Sequence, residues 1–90
     1  MKKIIDNMVK TENQIYNGLQ RLIKNEDGID NIFWDAFDDW LEKYGDYCPA
    51  EANSLYISEY ISDAAESGVS DKEIKEMCDY WIECINNRIY

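Results

Sequence analysis

The sequence contains no histidine, one proline and four glycines among 90 residues. Without histidine the chain lacks the commonest general base and the commonest metal ligand of proteins. It also lacks a Gly-rich phosphate loop, a Gly-x-Ser-x-Gly motif and any carboxylate pattern typical of a calcium loop. We therefore expect a protein that is not an enzyme, with no cofactor and no metal site.

Long apolar runs are also missing. No stretch approaches the roughly 18 consecutive apolar residues that a membrane-spanning helix needs. The first apolar residues are interrupted at Asp6 and Asn7, where a signal peptide would continue its apolar segment. These absences predict a cytoplasmic protein that does not bind membranes.

Cysteines are few and do not form a recognisable pattern. The three are Cys48, Cys78 and Cys84, an odd number without Cys-x-x-Cys spacing. Cys78 and Cys84 are six residues apart on one predicted helix, about 9 Å along its axis, which is too far for a disulfide. We interpret all three as core or half-buried thiols.

Basic residues are outnumbered and unevenly distributed. The chain has 9 Lys and Arg against 19 Asp and Glu, a formal net charge of −10. Residues 1–25 hold five bases and two acids, residues 26–71 one base and thirteen acids, and residues 72–90 three bases and four acids. A surface of this sign repels phosphates, which excludes direct, unaided binding to DNA, RNA or anionic membranes. The acidity therefore belongs to the middle of the chain.

Apolar residues make up 46% of the chain and aromatic residues 13%, enough for a packed core in one domain spanning residues 1–90. They recur at steps of three and four, as at Met8, Ile15 and Leu22, which is the period of a helix. The prediction is an all-α, compact bundle of about four helices, approximately 3–24, 29–44, 49–67 and 71–88. The alternative is three packed helices, with helix 1 partly detached or used for dimerisation.

Local signals support these boundaries. The turn of residues 25–28 is expected to separate helix 1 from helix 2, and Gly68 to end helix 3. Ser70-Asp71-Lys72-Glu73 has the sequence of a capping box, which predicts the start of helix 4.

Carboxylates share the outward sides of helices 2 and 3, where they could form a partner-binding surface. The candidate acidic residues are Asp35, Asp38, Asp39, Glu42, Asp46, Glu59, Asp63 and Glu66. Trp34, at the seam of helix 2, and Leu55, on the polar side of helix 3, are candidate apolar contacts. Steps of about 4.5–6 Å between helical carboxylates are comparable with phosphate spacing on a nucleic-acid strand. Four interpretations stay open: a solvated face, a functional surface for a basic partner, cation binding, and pairing of the acids with the basic edge of helix 1 within one molecule.

Residues 28–40, with Trp34-Asp35-Ala36 followed by Trp40, resemble the recognition helix of barstar, an acidic inhibitor of a basic ribonuclease. That resemblance implies that Asp35 would enter a nuclease active site. It covers thirteen residues, Asn31 stands where the family has an acid, and the strand pattern of the family is missing. It therefore indicates chance or convergence rather than homology.

The whole chain resembles, in character, the small acidic anti-CRISPR and antirestriction inhibitors of phages and mobile elements, which act as DNA mimics. The resemblance lies in size, acidity, aromatic content and the lack of catalytic motifs. It implies an acidic inhibitor that binds the basic nucleic-acid-binding surface of a defence nuclease, as a monomer or homodimer. Two alternatives remain: an immunity protein or antitoxin that neutralises a cognate toxin, and a small adaptor that self-associates through helix 1.

Overall fold

The computed structural model describes residues 2–24, 26–45 and 57–89. Over these ranges the chain forms four helices and no strand. They are α1 (Lys2–Leu22), α2 (Glu26–Tyr44), α3 (Ile57–Glu66) and α4 (Asp71–Ile89). The predicted all-α bundle of four helices is confirmed. Residues 49–56 of the predicted third helix, together with Asp46 and Leu55, lie outside the described residues.

The start of α2 differs from the prediction by three residues. The helix begins at Glu26 instead of residue 29, so Gly28 lies in its first turn. This glycine allows the end of α1 to approach closely, since a Cβ at Gly28 would lie 3.3 Å from Cγ2 of Ile23. The residue therefore allows close packing at the α1–α2 junction and does not end a helix.

The junction between α3 and α4 follows its sequence signals. Gly68 has a φ of 101°, in the left-handed region. The N–H of Val69 donates to the carbonyl of Ala64 and the N–H of Gly68 to that of Ala65, both at 3.2 Å. These two bonds form a Schellman motif, the usual glycine-ended helix terminus. Two residues later, Ser70 Oγ accepts a hydrogen bond from the Glu73 N–H at 3.3 Å, as the predicted capping box requires.

Helix α4 packs against each of the other three helices. Trp81, on its inner side, is fully buried, and its ring centroid lies 6.2 Å from that of Phe33 on α2. Phe33 in turn lies 5.7 Å from Tyr16 on α1. One turn further along the same side of α2, the rings of Phe37 and Tyr60 meet edge-on at 5.9 Å and join α2 to α3. Aromatic contacts thus link all four helices.

Helix α1 is packed into the bundle, so the alternative with a detached first helix does not describe this fold. Ile5, Met8 and Leu19 are buried, as its apolar stripe predicts. Leu22 was expected on the same stripe and is 81% exposed. Because α1 ends at Leu22 and the chain turns there, the next residue, Ile23, packs against the core in its place.

Two buried tryptophans place their polar N–H groups on different partners. The Trp40 indole donates to the Met77 carbonyl at 3.1 Å, which ties α2 to α4. The Trp81 indole donates to Oε2 of Glu12 at 2.8 Å, which ties α4 to α1. Burial raises the pKa of the Glu12 carboxyl above its ordinary 4.5, and the hydrogen bond from Trp81 partly opposes this rise. Glu12 is therefore a titratable contact between α1 and α4.

We expect Glu12→Gln to stabilise the protein at neutral pH. A carboxyl whose pKa is raised by folding contributes stability that is fully present below its unfolded pKa and is lost as pH rises through its folded pKa. Glutamine keeps an acceptor for Trp81 and carries no charge to desolvate. In urea unfolding from pH 4 to 8, the advantage of Glu12→Gln should grow as pH rises.

The control is Glu12→Ala, which leaves the buried Trp81 N–H without its acceptor. An unsatisfied buried donor costs about 1–3 kcal/mol, so this variant should be less stable than Glu12→Gln at every pH. If Glu12→Gln instead lost stability as pH rose, the ionised carboxylate would be the stabilising form and our interpretation of Glu12 would be wrong.

Candidate partner-binding surface

One side of α2 is occupied by the core and the other carries three exposed carboxylates. Asp35, Asp38 and Glu42 are all exposed, and we call them the α2 acidic face. Asp35 and Glu42 are seven residues apart, about 10.5 Å along a helix axis. At about 100° per residue the three positions span only about 60° of the helix circumference. They therefore form a narrow stripe of like charge on a rigid element.

Asp39 is oriented differently from the other candidate acids of α2. Its side chain is half-exposed, and its Oδ2 lies 2.5 Å from Nη2 of Arg88, near the end of α4. The structure therefore turns Asp39 toward α4 and pairs its charge, while the α2 acidic face points elsewhere.

The acids of α3 also face solvent. Glu59, Asp63 and Glu66 are exposed, and we call them the α3 acidic face. They lie on the side opposite Ile57, Ile61 and Ala64, which are buried in the core. The ring of Tyr60 meets that of Phe37 on α2, but α3 packs mainly on α4 and α1. The two acidic faces therefore lie on helices that meet mainly through this aromatic contact.

The base closest in sequence to the α2 acidic face, Lys43, contacts aromatic rings instead of carboxylates. Lys43 is the single base in residues 26–71, and its Nζ lies 4.6 Å from the ring centroid of Tyr80 and 5.5 Å from that of Tyr44. A cation over an aromatic face is held by the ring quadrupole. Across the described ranges, no base forms an ion pair with Asp35, Asp38 or Glu42. The α2 acidic face is therefore electrostatically uncompensated within this part of the chain.

Trp34 is the exposed aromatic residue of this region. It is 39% exposed, and its ring meets that of the buried Phe37 nearly edge-on at 5.9 Å. The other two tryptophans, Trp40 and Trp81, are fully buried. Trp34 therefore occupies the seam predicted from its position on the helix, between the core and the α2 acidic face.

The cysteines that the structure describes match their expected burial. Cys78 and Cys84 are free and buried, while Cys48 lies outside the described residues. Burial raises the pKa of the Cys78 thiol to about 11, so its reactive thiolate is scarce at neutral pH. Cys78 borders an open groove of about 380 Å³ between α1 and α4, with Met8, Thr11 and Ile82 among its other lining residues. These thiols offer packing and no chemistry that we can assign.

Two contacts of this surface could not be read from the sequence, and a third contact, in the core, was not predicted. The Asp39–Arg88 pair joins residues 49 positions apart, and no local spacing predicts it. The contact of Lys43 with Tyr80 likewise depends on how α2 meets α4. The Glu12–Trp81 bond had a signal in the sequence, because Glu12 is an acid in the middle of the apolar stripe of α1, four residues from both Met8 and Tyr16.

Comparison with known proteins adds no identification. No protein family matches the chain, and no curated protein or solved structure matches it. In residues 2–24, 26–45 and 57–89, no helix is both long and apolar enough to cross a membrane. The same residues contain no group of three or more potential His, Cys, Asp or Glu metal ligands. The surface chemistry described above is therefore the basis for a functional hypothesis.

We expect the triple substitution Asp35→Asn, Asp38→Asn and Glu42→Gln to stabilise the fold at low ionic strength. Each like-charge pair three or four residues apart on a helix costs about 0.2–0.5 kcal/mol, so the gain should be about 0.5–1 kcal/mol. It should shrink at 1 M salt, where the Debye length falls to about 3 Å. Thermal unfolding at two salt concentrations measures this.

The matched control is Asp6→Asn, Glu76→Gln and Glu83→Gln, which removes the same charge from exposed positions on α1 and α4. Its gain should be smaller, because Asp6 lies four residues from Lys10 and Glu76 four residues from Lys72, so their removal also removes favourable pairs. Equal gains from the two triples would show that only the net charge matters and that the α2 acidic face has no special electrostatic cost.

Proposed function

We propose that the protein is an inhibitor that binds the basic nucleic-acid-binding surface of a defence nuclease, of the anti-CRISPR or antirestriction type. In this proposal the α2 and α3 acidic faces occupy the place of nucleic-acid phosphates. The observation that carries it is the uncompensated α2 acidic face, whose three carboxylates have no ion-pair partner among the described residues.

The geometry of the stripe supports this use. Its length of about 10.5 Å equals about three phosphate steps of 3.4 Å on one strand. The carboxylates are held on a helix whose opposite side is buried in the core, so little conformational entropy is lost when they bind. Complementary charge would also accelerate association with a basic partner and make it weaken as salt rises.

Trp34 adds an apolar contact at the edge of the stripe. Interfaces gain most of their binding energy from a few residues, among which tryptophan is frequent. The resemblance of residues 28–40 to an inhibitory recognition helix supports Asp35 as the central contact, because it follows Trp34 and is exposed. Asp39 contributes less to this proposal, since Arg88 already neutralises it.

An immunity protein or antitoxin remains the second candidate. The same acidic stripe would serve equally well to cover the basic active site of a toxic nuclease. A toxin gene beside the gene for this chain, and rescue of growth when the two are co-expressed, would favour this candidate.

Self-association through helix 1 is supported less well. The self-association hypothesis was based on the apolar stripe of helix 1. Most of that stripe packs inside the fold, where Ile5, Met8 and Leu19 are buried. Leu22 remains exposed as a single residue and does not form a continuous apolar face. Light scattering at high concentration distinguishes a monomer from a homodimer.

The proposal predicts that charge reversal on the α2 acidic face abolishes partner binding. The immobilised protein should capture a nucleic-acid-binding protein from the cells in which it acts. The variant Asp35→Lys, Asp38→Lys and Glu42→Lys should bind the captured protein at least 100-fold more weakly, since each charge becomes repulsive. Circular dichroism should show unchanged helicity, because all three side chains are exposed.

The matched variant Asp6→Lys, Glu76→Lys and Glu83→Lys carries the same change in net charge at exposed positions on other helices. It should keep most of the affinity. Capture that is equal for both variants would contradict binding through the α2 acidic face. A captured protein with no nucleic-acid-binding activity would contradict mimicry.

A further inference from the structure

Trp34 occupies the middle of an acidic row on α2. Asp30 and Asp38 lie four residues before and four residues after it, so both are its neighbours on the helix surface. Each is about 6 Å from Trp34 along the axis. Neither aspartate forms an ion pair with a base in the part of the chain that the structure describes. The exposed part of the indole is thus flanked by two negative charges.

The indole has a fixed position in this row. Its ring meets Phe37, which is 1% exposed and packed against Tyr60 of α3. The core side of the Trp34 ring therefore packs on the aromatic contacts that join α2 to α3, while 39% of the residue stays open to solvent. A ligand that stacks on this ring would find it already ordered.

We propose that the row Asp30–Trp34–Asp38 is a docking site for an arginine side chain of the basic protein partner. The guanidinium would stack on the exposed indole and lie between the two carboxylates. This inference rests on the proposed function, because it assumes a basic partner, and it names the group of that partner which α2 recognises.

The chemistry favours arginine over the other groups a partner could present. A guanidinium is planar, weakly hydrated and able to stack on an aromatic ring while its edges donate to carboxylates. A lysine ammonium is more strongly hydrated and does not stack. A nucleic-acid base could stack on the indole, but its phosphates would be repelled by Asp30 and Asp38.

The test uses the whole protein and two short peptides, acetyl-(Arg-Gly)₃-amide and acetyl-(Lys-Gly)₃-amide. Trp40 and Trp81 are fully buried, so changes in tryptophan fluorescence on adding peptide report mainly on Trp34. The arginine peptide should change the fluorescence saturably and bind more tightly than the lysine peptide, by up to about fivefold, which is what a whole exposed cation–π contact contributes. Calorimetry gives the affinities independently of fluorescence.

Two variants locate the contact. Trp34→Leu should lose the preference for arginine, and Asp30→Asn with Asp38→Asn should weaken both peptides while keeping the preference. Asp6→Asn with Glu83→Gln is the matched charge control and should change neither property. Equal affinity of the wild-type protein for the two peptides would overturn the inference, as would an unchanged arginine preference in Trp34→Leu.

The failure of this inference is distinguishable from the failure of the proposed function. If the wild-type protein shows no arginine preference and the charge-reversed α2 variant fails to capture the nuclease, the acidic inhibitor stands and the arginine site is wrong. If the charge-reversed variant still captures the partner, the proposed function itself is contradicted, whatever the peptides show.

Discussion

The rest of the structure depends on Trp81 of α4, which is buried where α4 meets α1 and α2. Its ring packs on Phe33 of α2, and its indole N–H is held by Glu12 of α1. The same helix, α4, provides the carbonyl of Met77 to Trp40. Because α4 engages its neighbours with large side chains and satisfied polar groups, the orientation of α2 about its axis is fixed. The opposite side of α2, with its carboxylates, is left to solvent.

The exposed like charges on α2 lower the stability of this fold. A chain of 90 residues buries a limited area and has a narrow stability margin. Like charges on a short stretch of helix reduce that margin, whereas mixed charges, as in the 2.6 Å Lys75–Asp79 pair on α4, provide solubility without the same repulsion. The concentration of acids on α2 and α3 is therefore the observation on which the proposed basic partner rests.

Helix periodicity and capping signals were enough to predict the four helices, because these depend on residues close in sequence. The exposure of Asp35, Asp38 and Glu42 followed from the same periodicity. Two features could not be predicted this way: Arg88 neutralises Asp39 from another helix, and Lys43 lies against Tyr80. The prediction that Leu22 is buried was wrong for a related reason. The periodicity assumes a helix that continues, whereas α1 ends at Leu22. The partner itself has no signature in the sequence.

The central claim is that the α2 acidic face takes the place of nucleic acid on the partner. The most direct measurement is a competition experiment, in which a labelled DNA duplex and this protein are titrated together onto the captured nuclease. Our account predicts mutually exclusive binding, with the concentration of protein needed for half-displacement rising in proportion to the DNA concentration. A stable ternary complex of nuclease, DNA and this protein, formed at saturating concentrations of both ligands, would contradict it.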